Sequence, residues 1–238
     1  MTEAEMPDSF AELLSRCPDE DLPLLRELLA DDVRLPCSTQ FVRGESGEFR
    51  VSYLPGPLHW TRQTEWPWVL RNGDFQKDQK VLEVSGSHSV LKFALARRVE
   101  HVTDTEFDSW YIPKIQETVD LLGCKNVELL GADSRELPFP DNWFDRVVCV
   151  STLEHIEEGR SKAVSEMVRV LKPNGLLLLT MDVKLEGTFE NDFFVDRAGL
   201  YEILQQLNVT AIVKAGDLMA GKLEEMAYTV VLIRYRKG

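Results

Sequence analysis

Four short runs carry the residues with chemistry to offer: Glu83-Val84-Ser85-Gly86-Ser87-His88-Ser89, then Asp104, then Asp133-Ser134, and Ser151-Thr152-Leu153-Glu154-His155. The first follows the apolar run Lys80 to Val84 and precedes a helix-like run, Val90 to Ala96. A strand, tight turn and helix in that order aim backbone N–H groups and a helix N-terminus at a ligand. Glycine in such a turn lets the ligand approach the main chain, and here Gly86 stands between Ser85 and Ser87. Taken alone, the loop reads equally as an ordinary β-to-α turn. Asp104 closes a second strand-like run, where a carboxylate accepts hydrogen bonds from both hydroxyls of a ribose or caps the helix that follows. His155 has the side chain suited to exchanging a proton near neutrality with a hydroxyl, amine or carbon acid, and equally suited to capping a helix or lining a pocket.

To bring these groups together the chain must alternate strand and helix, and from about Trp60 it does. Such alternation predicts a parallel sheet with helices on both faces, because parallel neighbours need crossover connections of helical length. In an open sheet of this kind ligands bind beyond the carboxyl ends of the strands, at the point where strand order reverses. Each candidate falls just after a strand. Glu83 and the serine loop follow the first, Asp104 the second, Asp133 and Ser134 the third, Ser151 to His155 the fourth, and Asp182 the fifth. Ala227 to Tyr235 reads as a final strand. Ahead of this domain, Ser9 to Ser15 and Leu24 to Leu29 have helical spacing interrupted by Pro18 and Pro23. Arg43 to Tyr53 reads as a strand or hairpin, and Leu54-Pro55-Gly56-Pro57 as a turn or linker. The expected organisation is a helical and hairpin extension over residues 1–60 and a main domain over 61–238.

Further runs sharpen this reading. They are Val99-Glu100-His101-Val102-Thr103-Asp104, Asn126 to Ser134, Glu136-Leu137-Pro138-Phe139-Pro140-Asp141-Asn142-Trp143-Phe144-Asp145, Leu153-Glu154-His155-Ile156, and Arg169-Val170-Leu171-Lys172-Pro173-Asn174-Gly175. In this order and at these intervals the series resembles the class I S-adenosylmethionine-dependent methyltransferases, in their small-molecule branch, over about residues 65 to 182. The resemblance implies a Rossmann-like, doubly wound α/β fold whose mostly parallel seven-stranded sheet ends in an antiparallel strand. It implies S-adenosylmethionine as cofactor and methyl transfer to an oxygen, nitrogen or carbon nucleophile of a small molecule. Carried onto this chain, Glu83 meets the cofactor's amino group, Ser85, Gly86 and Ser87 form its loop, and Asp104 takes the ribose. Asp133 and Ser134 read the adenine edge, with an Asx turn as the structural alternative, and Ser151 lines the pocket. His155 is the candidate proton acceptor. Phe144-Asp145 and Arg169 to Gly175 read as structural, with Asn174 suited to a left-handed turn.

One departure is plain: serine fills all three glycine places of the family loop. A Cβ in a left-handed conformation costs about 1 kcal/mol. Two alternatives stay open on that ground: a silent binding protein that regulates a partner, and an enzyme of elimination or cyclisation on the same scaffold. Tyr53, His59, Trp60, Trp66 and Trp68, with Phe189, Phe193 and Phe194, are either walls of an acceptor pocket or core beneath the N-terminal extension.

Composition narrows the partners. A net charge of −13 repels a phosphate backbone, and the densest basic run is Arg234-Tyr235-Arg236-Lys237. Cys17, Cys37, Cys124 and Cys149 lack paired spacing, so reduced thiols are expected and no metal site. The first residues contain no apolar stretch of signal or membrane length, so the expected location is the cytoplasm, away from membranes. The protein is expected to leave duplex DNA and RNA unshifted in an electrophoretic assay at physiological salt. Specific binding tighter than about 1 μM would contradict this reading.

Overall fold

Short runs such as Val81-Leu82 and Leu176-Leu177-Leu178-Leu179 are apolar on successive residues, which suits strands covered on both faces. The computed structural model of the chain describes residues 39–43, 49–53, 60–86, 89–184, 194–209, 213–214 and 228–238. Its elements are β1 (Thr39–Arg43), β2 (Phe49–Tyr53), α1 (Trp60–Asn72), β3 (Lys80–Val84), α2 (Leu91–Ala96), β4 (His101–Glu106) and α3 (Ile112–Leu122). Then follow β5 (Val127–Gly131), β6 (Phe144–Val150), α4 (Arg160–Val170), β7 (Leu171–Lys184), α5 (Arg197–Leu207), β8 (Val213–Lys214) and β9 (Tyr228–Arg236).

The main sheet runs β5-β4-β3-β6-β7-β9-β8. Pairings from β5 through β7 are parallel, while β9 lies antiparallel to β7 and to the two-residue β8. Strand order reverses at β3, whose neighbours are β4 on one side and β6 on the other. The expected mixed α/β architecture with its antiparallel closing strand is therefore present. The hairpin anticipated from Arg43 begins earlier, at Thr39, and pairs β1 with β2 antiparallel. The helices expected over Ser9 to Ser15 and Leu24 to Leu29, and the linker at Leu54 to Pro57, lie outside the described residues.

Period-two alternation divides the sheet between two cores. Val81, Val102, Val148 and Leu178 face α1, α2 and α3, whereas Leu82, Val147, Cys149 and Leu179 face α4 and α5. Trp66 and Trp68 of α1 belong to the first core. Helix ends follow local chemistry: α3 opens on Pro113 and stops at Gly123, which takes φ +67. The Asp196 side chain caps α5 by accepting the Gly199 N–H at 2.7 Å.

Arg169 explains two of the sequence runs at once. Its guanidinium donates to the carbonyls of Leu137 and Phe139 and to the carboxylates of Asp141 and Glu166. Leu137 N–H in turn reaches Glu166. The Leu-Pro-Phe-Pro-Asp loop is thus clasped to the end of α4 by one side chain. Asp145 accepts from Lys80 N–H at 2.9 Å and Lys172 Nζ at 2.8 Å, tying β3 to β7 across β6. Instead of a tight turn preceding the strand, Leu171 already pairs with Phe144, and an irregularity follows before Arg146 meets Leu176. Asn174 sits within it at φ +64. Among the described residues no helix is long and apolar enough to cross a membrane. Replacing Arg169 with Met is expected to lower stability by about 2 kcal/mol, because it strands two carbonyls and two carboxylates. Thermal unfolding should fall by about 4 to 8 °C, and an unchanged midpoint would show the clasp to be dispensable.

Candidate active site

Beyond the carboxyl end of β3 the loop rests on two carboxylates. Glu83 and Asp104 are direct Cα partners in the parallel pair β3–β4, on the face that carries α2. Both are sealed from solvent, at 1% and 2% exposure. Gly86 N–H donates to Asp104 Oδ1 at 2.9 Å. A Cβ on Gly86 would lie 2.4 Å from Asp104 Oδ1 and 2.7 Å from the Glu83 carboxyl carbon, so only glycine fits there. Ser85 takes φ +54, the left-handed conformation that glycine would adopt without penalty. From α2, the fully buried Lys92 brings its Nζ to 3.1 Å from Asp104 Oδ2 and donates to Ser89 O at 2.7 Å. Burial pushes Glu83 up to about 7, Lys92 opposing the shift and Asp104 adding to it. Burial likewise holds Asp104 above its ordinary value despite Lys92 and the Gly86 N–H. Ser87 lies outside the described residues.

Asp104 does not close its strand, as the sequence reading expected, because the strand runs on to Glu106. The register turns it under the loop, where Gly86 and Lys92 occupy it, and Glu106, two residues on, ends the strand. Glu106 Oε1 accepts from Asp108 N–H at 3.3 Å, while its Oε2 is buried with no hydrogen-bond partner among the described residues. Burial raises its carboxyl above the ordinary value. Beside it the Phe107 ring is 61% exposed, with the Arg135 guanidinium 5.9 Å from its centroid. Asp133 is held by Arg135 through side-chain bonds at 2.7 and 2.9 Å and an Arg135 N–H at 2.8 Å, the Asx-type alternative named above. Ser134 is buried beside it.

On the other side of β3, a second buried cluster joins α1 to the ends of β6 and β7. The fully buried Glu65 accepts from Arg62, from Ser151 Oγ at 2.7 Å and from Thr180 Oγ1. Burial alone would raise Glu65, but the Arg62 guanidinium and these hydrogen bonds outweigh it and hold the carboxyl low. Ser151, at φ +44, also receives Arg62 and is therefore part of this cluster. Glu154 lies at 1% exposure in the turn Leu153–His155, its Oε1 taking Asp182 N–H at 3.3 Å. Its Oε2 and Asp182 Oδ1 are buried with no hydrogen-bond partner among the described residues. Burial and the neighbouring Asp182 push Glu154 up to about 8, and burial with Glu65 pushes Asp182 up to about 7. His155 is exposed at the rim, held below its ordinary value by its surroundings and by the Arg62 charge.

Sequence reasoning missed Lys92, Glu106, Arg62, Glu65 and the role of Glu154. The signal for Glu106 was its place one alternation beyond Asp104. Tyr53 and His59, with Phe189 and Phe193, have no described side chains here.

The donor and acceptor set suits S-adenosylmethionine. Among the described residues, Glu83 Oε2 and Glu106 Oε2 are buried carboxyl oxygens with no hydrogen-bond partner, near the carboxyl ends of the adjacent strands β3 and β4. The cofactor presents an ammonium and two ribose hydroxyls, all donors. Comparison with known proteins agrees. Residues 82–179 match the family described as "Methyltransferase domain". Over 167 residues the chain is 30% identical to "Ubiquinone/menaquinone biosynthesis C-methyltransferase UbiE" of Psychromonas ingrahamii, covering 68% of this chain and 62% of that one. The chain thus spans about three fifths of that relative's length. The [4+2]-cyclase SpnF shares the fold with a TM-score of 0.65 at 17% identity, over 90% of this chain and 92% of that one. A SAM-dependent methyltransferase from Aquifex aeolicus gives 0.54 at 21% identity, over 74% and 93%.

The raised carboxyls leave a pH signature. Folding lifts the Glu154 pKa to about 8, so the folded state binds the extra proton and this group's contribution to stability drains away as pH rises toward 8. Glu154→Gln cannot ionise. Relative to wild type it is expected to gain about 1 kcal/mol or more in urea unfolding between pH 6 and pH 9. An equal difference at both pH values would contradict the assigned ionisation.

Proposed function

Because the chain belongs to the class I S-adenosylmethionine-dependent methyltransferases, we propose that it methylates an oxygen, nitrogen or carbon nucleophile of a small molecule. The observation that carries this reading is the pair of buried carboxyl oxygens on Glu83 and Glu106, without hydrogen-bond partners among the described residues, near the carboxyl ends of β3 and β4. The cofactor supplies a methyl group already activated by the sulfonium charge. What the protein must add is placement of the nucleophile in line, and removal of a proton where the nucleophile carries one.

In this reading Glu106 takes the ribose hydroxyls, in place of Asp104, and Glu83 attracts the ammonium. The exposed Phe107 ring offers a face to the base, and the Asp133–Ser134 turn closes that end, Asp133 being fixed by Arg135. Ser85, Gly86 and Ser87 form the loop at the methionine end. The acceptor lies toward Arg62, Ser151, His155 and Asp182. Asp182, half-buried and backed by Glu154, is suited to take up a proton near neutrality. His155, held low, is neutral at pH 7 and able to do the same. Arg62 supplies positive charge for an acceptor anion. The C-methyltransferase name of the relatives makes a carbon acid one acceptor class that would need such a base.

Calorimetric titration with S-adenosylmethionine and S-adenosylhomocysteine tests the reading. Binding of both is expected, and Glu106→Ala should weaken it about tenfold or more, since hydrogen bonds to a charged acceptor contribute about 1.5 to 3 kcal/mol. No heat from correctly folded wild type would overturn the proposal, and unchanged affinity in the variant would remove Glu106 from the ribose.

A further inference from the structure

The loop cluster does not balance its charges. Glu83 and Asp104 stand side by side in register on one face of the sheet, where like charges repel. Only one ammonium, that of Lys92, reaches them among the described residues, and it sits on Asp104. Asp104 Oδ1 accepts the Gly86 N–H, and among the described residues its Oδ2 has the Lys92 ion pair alone. Glu83 Oε2 is sealed and has no hydrogen-bond partner among the described residues. Among the described residues, the charged and titratable groups facing Glu83 are Lys92 from α2 and Asp104 from β4, with the Ser89 hydroxyl from the loop, while the Cys149 thiol of β6 lies on the opposite face of the sheet. Two carboxylates and one ammonium leave one positive charge missing. Lys92 is also where the loop is anchored, through Ser89 O, whose residue in turn donates its N–H to Gly86 O at 2.6 Å.

We propose that Lys92 and Asp104 are positioning residues for the cofactor: their ion pair fixes the serine loop from beneath and leaves the Glu83 charge to attract the cofactor's ammonium. This rests on the methyltransferase reading above and extends it. The family loop uses glycines to fit its ligand, whereas here a buried lysine and a single glycine over an acid pair set its depth. Glu83 sits beside a cation that favours its ionisation and an anion that opposes it, so its ionisation responds to the loss of either one. Binding an ammonium favours ionised Glu83, and the proton it gives up passes to solvent.

The test is calorimetric titration of the full chain with S-adenosylhomocysteine between pH 5.5 and 8. For wild type, affinity is expected to rise with pH through about 7, with net proton release. Lys92→Met removes the cation, so the midpoint should move up by about one unit and affinity at pH 7 should fall about fivefold. Asp104→Asn removes the competing anion and should move the midpoint down by a similar amount. Opposite shifts support the proposal. If Lys92→Met fails to fold, Asp104→Asn decides alone. Unmoved midpoints in folded variants, or a wild-type affinity independent of pH, would overturn it while leaving the cofactor reading intact. Wild type that binds no S-adenosylhomocysteine at any pH would sink that reading as well.

Discussion

Parallel pairing of β3 with β4 puts Glu83 directly beside Asp104, and the rest of the site is arranged around that repulsion. Two sealed carboxylates at neighbouring register positions are tolerated only if protonated or given a counter-charge. Lys92 supplies one counter-charge, from a helix turn close enough to bond the loop as well. Gly86 is glycine because the loop lies on the acids with no room for a Cβ, and Ser85 accepts a left-handed backbone so that the loop can settle there.

The second cluster follows the same physics on the other side of β3. Glu65 is acceptable in the core because Arg62, Ser151 and Thr180 all bond it, and the group so formed fastens α1 over the ends of β6 and β7. Glu154 and Asp182 have no such partners for one oxygen each, and their raised pKa values are the price of that position. Buried acids with unsatisfied oxygens cluster at sites that handle protons or ligands. Glu154 lies just past the end of β6 and Asp182 within the last three residues of β7.

The order of strands and helices was legible because period-two apolar runs separated by helical spacing admit few other arrangements. The structural roles of Asp145 and of the run from Arg169 were legible too, down to the left-handed Asn174. What was not legible depended on register and on depth. Asp104 and Glu106 alternate along one strand and share a face, and only the placement of the loop and of Lys92 tells which of them is covered. Lys92 itself sits in a six-residue helix, where a lysine ordinarily lies at the surface. Arg62 and Glu65 stand three apart in a helix that carries Pro67, a spacing that ordinarily marks a surface pair. Side chains such as these acquire their meaning from neighbours distant in sequence, and no local pattern marks them.

A crystal structure of the complex with S-adenosylhomocysteine tests the central claim most directly. The account predicts ribose hydroxyls within hydrogen-bonding distance of the Glu106 carboxylate, the ammonium on the Glu83 side of the loop, and Asp104 still paired with Lys92. A ribose bound to Asp104, with Lys92 displaced from it, would contradict the account.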